Sequence, residues 1–333
     1  MKTDPIEPAS VQLSVVIPTM DRRDLLAETL STIGPQLSPA VELVVLDGSK
    51  DPQGVKEMVE KAGGRYLWQK PRGFDQAYLD VVDMAKGQYV WLFGDDDLMK
   101  PRAIDEVLKV LKDSGSLSAM AAPSAPSDPR KGVPLDLLIV NTDVIASESS
   151  RVLKETCSTL PETEFGPADR SEVVAKLGPM ISFMGCIIIR KGFWAQGVSA
   201  AKEHIGKRLI TMIVPLIVPA QRVRYIPSVL ASARYGHQSW VGTESVLIGQ
   251  TMTDTIWSFP DVADYAKQAC TPRPPSWHNL LLWRALGQPV ASLPYAKAKL
   301  IGMVPASLMR WLCRMMLRLI GKTKSMTGYA LGF

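Results

Sequence analysis

Strand-length apolar runs alternate with helical segments through the first 112 residues, and no other feature limits the possible folds as sharply. The runs are 13–17, 41–46, 65–68 and 88–93. Between and after them, 22–33, 55–62, 74–85 and 101–112 carry apolar residues at helical spacing, as at Leu25, Leu26, Leu30 and Ile33. Gly34-Pro35, Gly63-Gly64 and Lys86-Gly87 stop the first three helices. Such a chain stacks its strands in parallel, with right-handed helical crossovers on both faces. The predicted class is α/β, with a mixed, mainly parallel sheet flanked by helices. Sheets of this kind bind ligands beyond the carboxyl ends of their strands. Those ends carry Pro18-Thr19-Met20-Asp21, Asp47-Gly48-Ser49 and Asp95-Asp96-Asp97, so acids and hydroxyls converge on one edge.

The triplet Asp95-Asp96-Asp97 is the sharpest chemical signal. Three adjacent carboxylates repel one another. Either water solvates them at the start of the 101–112 helix, where acids suit the helix dipole, or a divalent cation neutralises them. Hard oxygen ligands suit Mg²⁺ or Mn²⁺, which can bridge a diphosphate. Asp47 and Thr19 are also ordinary turn residues.

Three segments, taken together, resemble the family 2 glycosyltransferases of GT-A fold. They are Leu13-Ser-Val-Val-Ile-Pro-Thr-Met-Asp-Arg22, Val44-Val-Leu-Asp-Gly-Ser-Lys-Asp51 and Ala85-Lys-Gly-Gln-Tyr-Val-Trp-Leu-Phe-Gly-Asp-Asp-Asp97. Their order and spacing match the family's strand, "D-D-G-S" and acidic motifs. Gly73-Phe-Asp75, the Trp91–Asp97 variant, Tyr225-Ile-Pro-Ser and Arg234-Tyr-Gly-His-Gln-Ser-Trp240 look like the abequosyltransferase-like branch. The resemblance implies a nucleotide-sugar site at Pro18, Thr19, Asp21, Asp47, Asp75 and Asp95, and metal ligands at Asp96 and Asp97. Leu46 and Gly94 stand where the family more often has Asp. An inverting transfer needs a general base, and the resemblance places one in the window of Glu203 and His204. His is a fitting base because its pKa lies near neutrality. A helix-start Glu beside an ordinary His reads equally well there. His237 reads as structural, and Trp194 and Trp240 as core or sugar-stacking residues.

Beyond residue 112 the pattern loosens. Residues 114–131 are rich in Ser, Ala and Pro and read as a surface loop. Residues 135–140 and the apolar stretch 180–189 continue the domain, and 224–233 read as strand, bulge, strand. The division expected is a domain over 1–240, with a nucleotide-sugar half at 10–112 and an acceptor half at 132–240. A helical, basic extension follows at 241–333.

Charge distinguishes that extension. Residues 265–333 carry ten Lys/Arg and no acid, whereas 1–264 carry 28 Lys/Arg against 33 Asp/Glu. Within 305–321, Arg310, Arg314 and Arg318 repeat every four residues and Lys322 continues the row. Trp311 borders that stripe, and Leu and Met cover most of the rest. This is the pattern of an interfacial helix on anionic lipid. A helix docked on the protein's own core gives a similar pattern. A nucleic-acid role is disfavoured by the acidic body and the lack of a motif. Residues 1–10 hold two acids and two prolines, so no secretory signal is expected. No apolar run reaches the 18–20 residues of a spanning helix. The four cysteines lie far apart, and with three scattered histidines they form no zinc pattern.

The sequence thus points to an inverting, Mn²⁺- or Mg²⁺-dependent, hexosyltransferase-like enzyme with a nucleotide-sugar donor. Its expected acceptor is a lipid-linked saccharide in bacterial surface polysaccharide synthesis. The expected location is cytoplasmic, peripheral at the inner membrane face. The competing readings are a catalytically inactive scaffold of the same fold and a nucleotidyltransferase. The latter would carry a Gly-rich basic loop after the first strand.

Overall fold

The computed structural model describes residues 11–117, 133–149, 151–236 and 245–332. Strands β1 (Leu13–Thr19), β2 (Val41–Asp47), β3 (Arg65–Trp68) and β4 (Tyr89–Leu92) lie parallel in the order β3-β2-β1-β4. Helices α1 (Arg23–Ile33), α2 (Val55–Lys61) and α3 (Phe74–Met84) connect them. The expected alternation therefore holds. Strands β1, β2 and β4 are largely apolar on both faces, as sheets covered on both sides require, and β1 and β4 are almost wholly buried, whereas the edge strand β3 is half-buried.

After β4 the chain forms β5 (Leu98–Met99), α4 (Ala103–Asp113), β6 (Leu137–Ala146), β7 (Val152–Lys154) and β8 (Thr163–Phe165). Helix α5 (Arg170–Leu177), β9 (Ile187–Arg190), α6 (Lys191–Ala200), α7 (Ile210–Ile217) and β10 (Val223–Tyr235) follow. One sheet runs β3-β2-β1-β4-β9-β6-β10-β5, with β7 and β8 pairing on β6 and β10. Strand β9 runs antiparallel between β4 and β6, and β5, β7 and β8 also pair antiparallel, so the sheet is mixed. The strand–bulge–strand expected near 224–233 is the single strand β10. Its register to β6 shifts on either side of Val229, just after Pro227, a residue that cannot donate to a ladder.

The Ser-rich stretch at 114–131 begins differently from the expected surface loop. Ser114 and Ser116 are buried, and Ser116 Oγ accepts the Leu135 N–H at 2.9 Å. Residues 118–132 lie outside the described residues.

Two apolar cores separate the molecule. The first fills both sides of the sheet and takes in Ile256 of α8 (Ser245–Trp257) and Ala266 of α9 (Asp264–Cys270). The second gathers Leu280, Ala285, Val290, Leu293, Ala298, Ile301, Met309, Leu317 and Leu331. It belongs to α10 (Trp277–Ala285), α11 (Ala296–Gly302), α12 (Ala306–Leu319), α13 (Met326–Ala330) and their links. The boundary expected at 240/241 falls outside the described residues, and the cores divide later, between 270 and 280. The apolar stretch at 209–220 forms α7 and packs into the first core, with Pro215 inside the helix. Among the described residues no single helix is long and apolar enough to cross a membrane.

Candidate active site

Parallel pairing brings the chemistry together. Thr19 at the end of β1 is in register with Asp47 at the end of β2. On the other side of β1, the Phe93 N–H donates to Val16 O at 3.1 Å, which sets the acidic turn beside Thr19. The Thr19 hydroxyl donates to Asp95 at 2.8 Å. Thr29, buried on α1, lies 3.0 Å from the Asp95 carbonyl and 2.8 Å from that of Asp97, so helix and turn are tied.

The three acids occupy different surroundings. Asp95 and Asp96 each give an oxygen to a different terminal nitrogen of Arg22, both at 2.6 Å, so one guanidinium bridges two carboxylates. Burial opposes the charge on Arg22, but Asp95 and then Asp96 hold its pKa above the ordinary value. Burial pushes the Asp95 carboxyl up to about 6, against the pull of Arg22. Asp97 is half-buried, and burial followed by the repulsion of Asp96 raises its carboxyl as well. The Arg234 N–H donates to Asp97 at 3.3 Å, while its guanidinium contacts the Asp96 carbonyl and Glu28.

Gly94 has a steric reason to replace the commoner Asp. A Cβ there would stand 2.7 Å from Asp97 Oδ2 and 3.1 Å from Asp96 Oδ1. The acidic turn folds back over this position and leaves no room for a side chain.

The other strand-end residues form a tight polar lattice. Asp47 is fully buried; it accepts the Ser49 N–H at 2.8 Å and the Tyr66 hydroxyl at 2.9 Å. Asp21, at φ 54°, donates its N–H to Ser49 Oγ at 2.8 Å and accepts from Lys50 N at 3.2 Å. Pro18 is half-buried beneath it. At the end of β3, Trp68 is 53% exposed and tethered by its indole N–H to Ser49 O at 3.1 Å. Trp68 gives the edge an open aromatic face.

Asp75 sits elsewhere. It is 2% exposed, at the start of α3, and its carboxylate accepts the N–H groups of Gly206, Arg208 and Ile210 at 2.8, 2.9 and 3.1 Å. Glu203 and His204 lie in a 3₁₀ turn (Lys202–His204) just before that segment. Glu203 is exposed, and His204 Nδ1 lies 3.3 Å from Thr255 Oγ1. Burial, then the charge of Lys207, lowers the His204 pKa against the opposing Glu203. Trp194 is 4% exposed and belongs to the core. His237 and Trp240 lie outside the described residues.

Arg22, Arg234 and Trp68 are site components that motif reasoning passed over. Arg22 stood inside the first motif and Arg234 at the head of the last, but the acids they pair with, Asp95, Asp96 and Glu28, lie far from them in sequence. Among the described residues no group of three His, Cys, Asp or Glu side chains is arranged as a metal cage. Magnesium-type sites need less, because one or two carboxylates suffice when substrate phosphates complete the sphere. The donor set at 95–97 meets that requirement, with Arg22 acting as its present counter-charge.

Residues 14–163 match the family model "Glycosyl transferase family 2". No curated protein matches the chain. Among solved structures, S. aureus TarS is similar at 13% identity and TM-score 0.53, over 95% of this chain and 55% of that one. The chain thus spans about half of that longer protein. S. aureus TarS 1-349 in complex with UDP-GlcNAc is similar at 14% identity and TM-score 0.52, over 96% and 89%. These likenesses establish a shared GT-A-like fold. The family match lies on the segment that builds the strand-end site, so residues 14–163 are similar to the glycosyl transferase family 2 domain.

Proposed function

We propose that the protein is an inverting, divalent-metal-dependent transferase that moves a sugar from a nucleotide-sugar donor to a hydroxyl of a lipid-linked saccharide in bacterial surface polysaccharide synthesis. The observation that carries the reading is the convergence of Thr19 and Asp95–Asp97 at the ends of β1 and β4, inside the family-matched segment. A nucleoside diphosphate fits this edge, and the TarS 1-349 complexes with UDP-GlcNAc and UDP support a uridine donor. Trp68 offers its ring to the base. Thr19 and Asp95 take the ribose, with Pro18, Asp21 and Asp47 shaping the turn that receives it. Asp96, with Asp97, holds Mn²⁺ or Mg²⁺, which when bound offsets charge on the leaving diphosphate.

In the transfer, the acceptor oxygen bonds to the anomeric carbon, the bond to the diphosphate breaks, and the hydroxyl proton passes to Glu203 or His204. Asp96→Ala is expected to abolish donor hydrolysis and transfer in a folded protein, and undiminished Mn²⁺-dependent turnover would reject the metal assignment. Glu203→Gln and His204→Ala separate the two bases, and the true one should lose on the order of 10²–10⁴ in rate.

The membrane is part of the proposal. Helix α12 turns Met309 and Leu317 into the second core and exposes Leu308, Trp311, Leu312, Met315, Met316 and Leu319. Arg310, Arg314 and Arg318 flank that exposed face, and Arg310 donates to Ala285 O at 2.9 Å. An apolar face with a basic flank suits an anionic lipid surface, and the protein would sit peripherally at the inner face of the cytoplasmic membrane.

The Arg22 clasp also favours a second reading, a non-catalytic scaffold whose acids are permanently neutralised. Saturable Mn²⁺ binding that grows with UDP would reject it.

A further inference from the structure

We infer that Asp75 is a positioning residue that holds the segment after the proposed base against the donor edge. The inference rests on the transferase reading and extends it to a group that touches neither donor nor acceptor. Three backbone N–H groups, at 206, 208 and 210, converge on one buried carboxylate. Alternate donors can reach a single acceptor only if the backbone curls. Gly206 at φ +91° and Arg208 at φ +60° make that curl. For a non-glycine residue such a conformation is costly. The charge-assisted bonds to Asp75 offset that cost.

The partner element makes the contact more than a local staple. Asp75 lies in the first turn of α3, and Tyr78 lies one turn along. Tyr78 is fully buried, and its hydroxyl donates to Phe93 O at 3.0 Å, directly before Gly94 and the acids. A single helical turn therefore grips the acidic turn through Tyr78 and the 206–210 segment through Asp75. Glu203 and His204 precede that segment, with the His204 N–H donating to Ala201 O at 2.9 Å. Buried Ala201 donates its N–H to Gly197 O of α6 at 2.8 Å, so the stretch from 201 to 210 is held at both ends. Releasing the Asp75 end would leave the acids in place and let the base drift.

The test uses Asp75→Asn in the full chain, because the amide presents N–H groups to backbone N–H donors. Lys207 and Arg208 are exposed trypsin sites inside the pinned segment. Cleavage after them in the folded protein should rise about tenfold or more as local opening becomes easier. In turnover, kcat should fall about 10–100-fold while the donor KM and Mn²⁺-supported UDP affinity stay within about threefold, as expected when only the geometry of the proton acceptor is lost. If cleavage is unchanged, or if UDP affinity falls as far as kcat, the positioning role is overturned and a direct donor contact takes its place. If cleavage rises but kcat holds, positioning fails while the transferase reading stands. If the wild type binds no UDP, the functional reading fails, yet the cleavage result still decides whether Asp75 pins the segment. Should the variant not fold, hydrogen exchange in the wild type decides: the amides of Gly206, Arg208 and Ile210 should exchange slowly. Uniformly fast exchange would overturn the inference.

Discussion

Single atoms settle much of the chemistry at the residue scale. The missing Cβ of Gly94 lets Asp97 turn inward, so Gly94→Ala should cost about 1–3 kcal/mol, the usual range for forced overpacking. Urea denaturation at neutral pH would show it as a shifted midpoint with an unchanged slope. His204 supplies a pH prediction. Its pKa is lowered, so the ring is neutral at pH 7 and ready to accept a proton. If His204 is the base, the acid limb of kcat/KM lies below the ordinary imidazole range. Lys207→Ala removes a like charge and moves that limb to higher pH. If Glu203 is the base, the acid limb persists in His204→Ala. Thr19, Asp47 and the acidic triplet were legible because each follows a strand directly, and the alternation of elements aligns strand ends. Arg22 was legible only as a motif letter, because its partners lie 73 and 74 residues away.

Directions and pairings were settled at the scale of elements. The first four strands and their helices were visible because amphipathic periodicity with glycine stops leaves one parallel arrangement. Strand β9 was not, since an all-apolar run reads the same parallel or antiparallel and only its neighbours β4 and β6 choose. Strand β10 was visible in outline through Pro227, yet its role at the site was not. Arg234, 3% exposed near its end, reaches Leu25 O on α1 at 3.1 Å as well as the acidic turn. Arg234→Leu strands buried carbonyls and should cost on the order of 2–3 kcal/mol. It should also loosen the turn, read as faster hydrogen exchange at residues 95–97 than elsewhere in the sheet.

At the scale of the whole molecule, two cores and a charge split coincide only roughly. The acid-free stretch begins at residue 265, within α9, which still belongs to the first core. Helices α11 and α12 meet at a bend of 100° and leave Leu300 and Met303 exposed near the corner. Phosphatidylglycerol vesicles should therefore bind the protein and shift Trp311 fluorescence to the blue. Changing Arg310, Arg314 and Arg318 together to Glu should abolish that binding, and retention at low salt would reject an electrostatic attachment.

What the amino-acid sequence determined by itself was the local order of the first 112 residues: which segments are strands, which are helices, and which acids follow which strand. Those properties arise from periodicity, turn residues and spacing, all of which act between near neighbours. The tertiary structure alone decided which groups meet across the fold. Asp75 illustrates the difference, because as a sequence letter it suggested a donor contact. In the folded chain its carboxylate lies against backbone N–H groups 131 to 135 residues away. A buried charge must find donors wherever the packing supplies them, and no local pattern records where that will be.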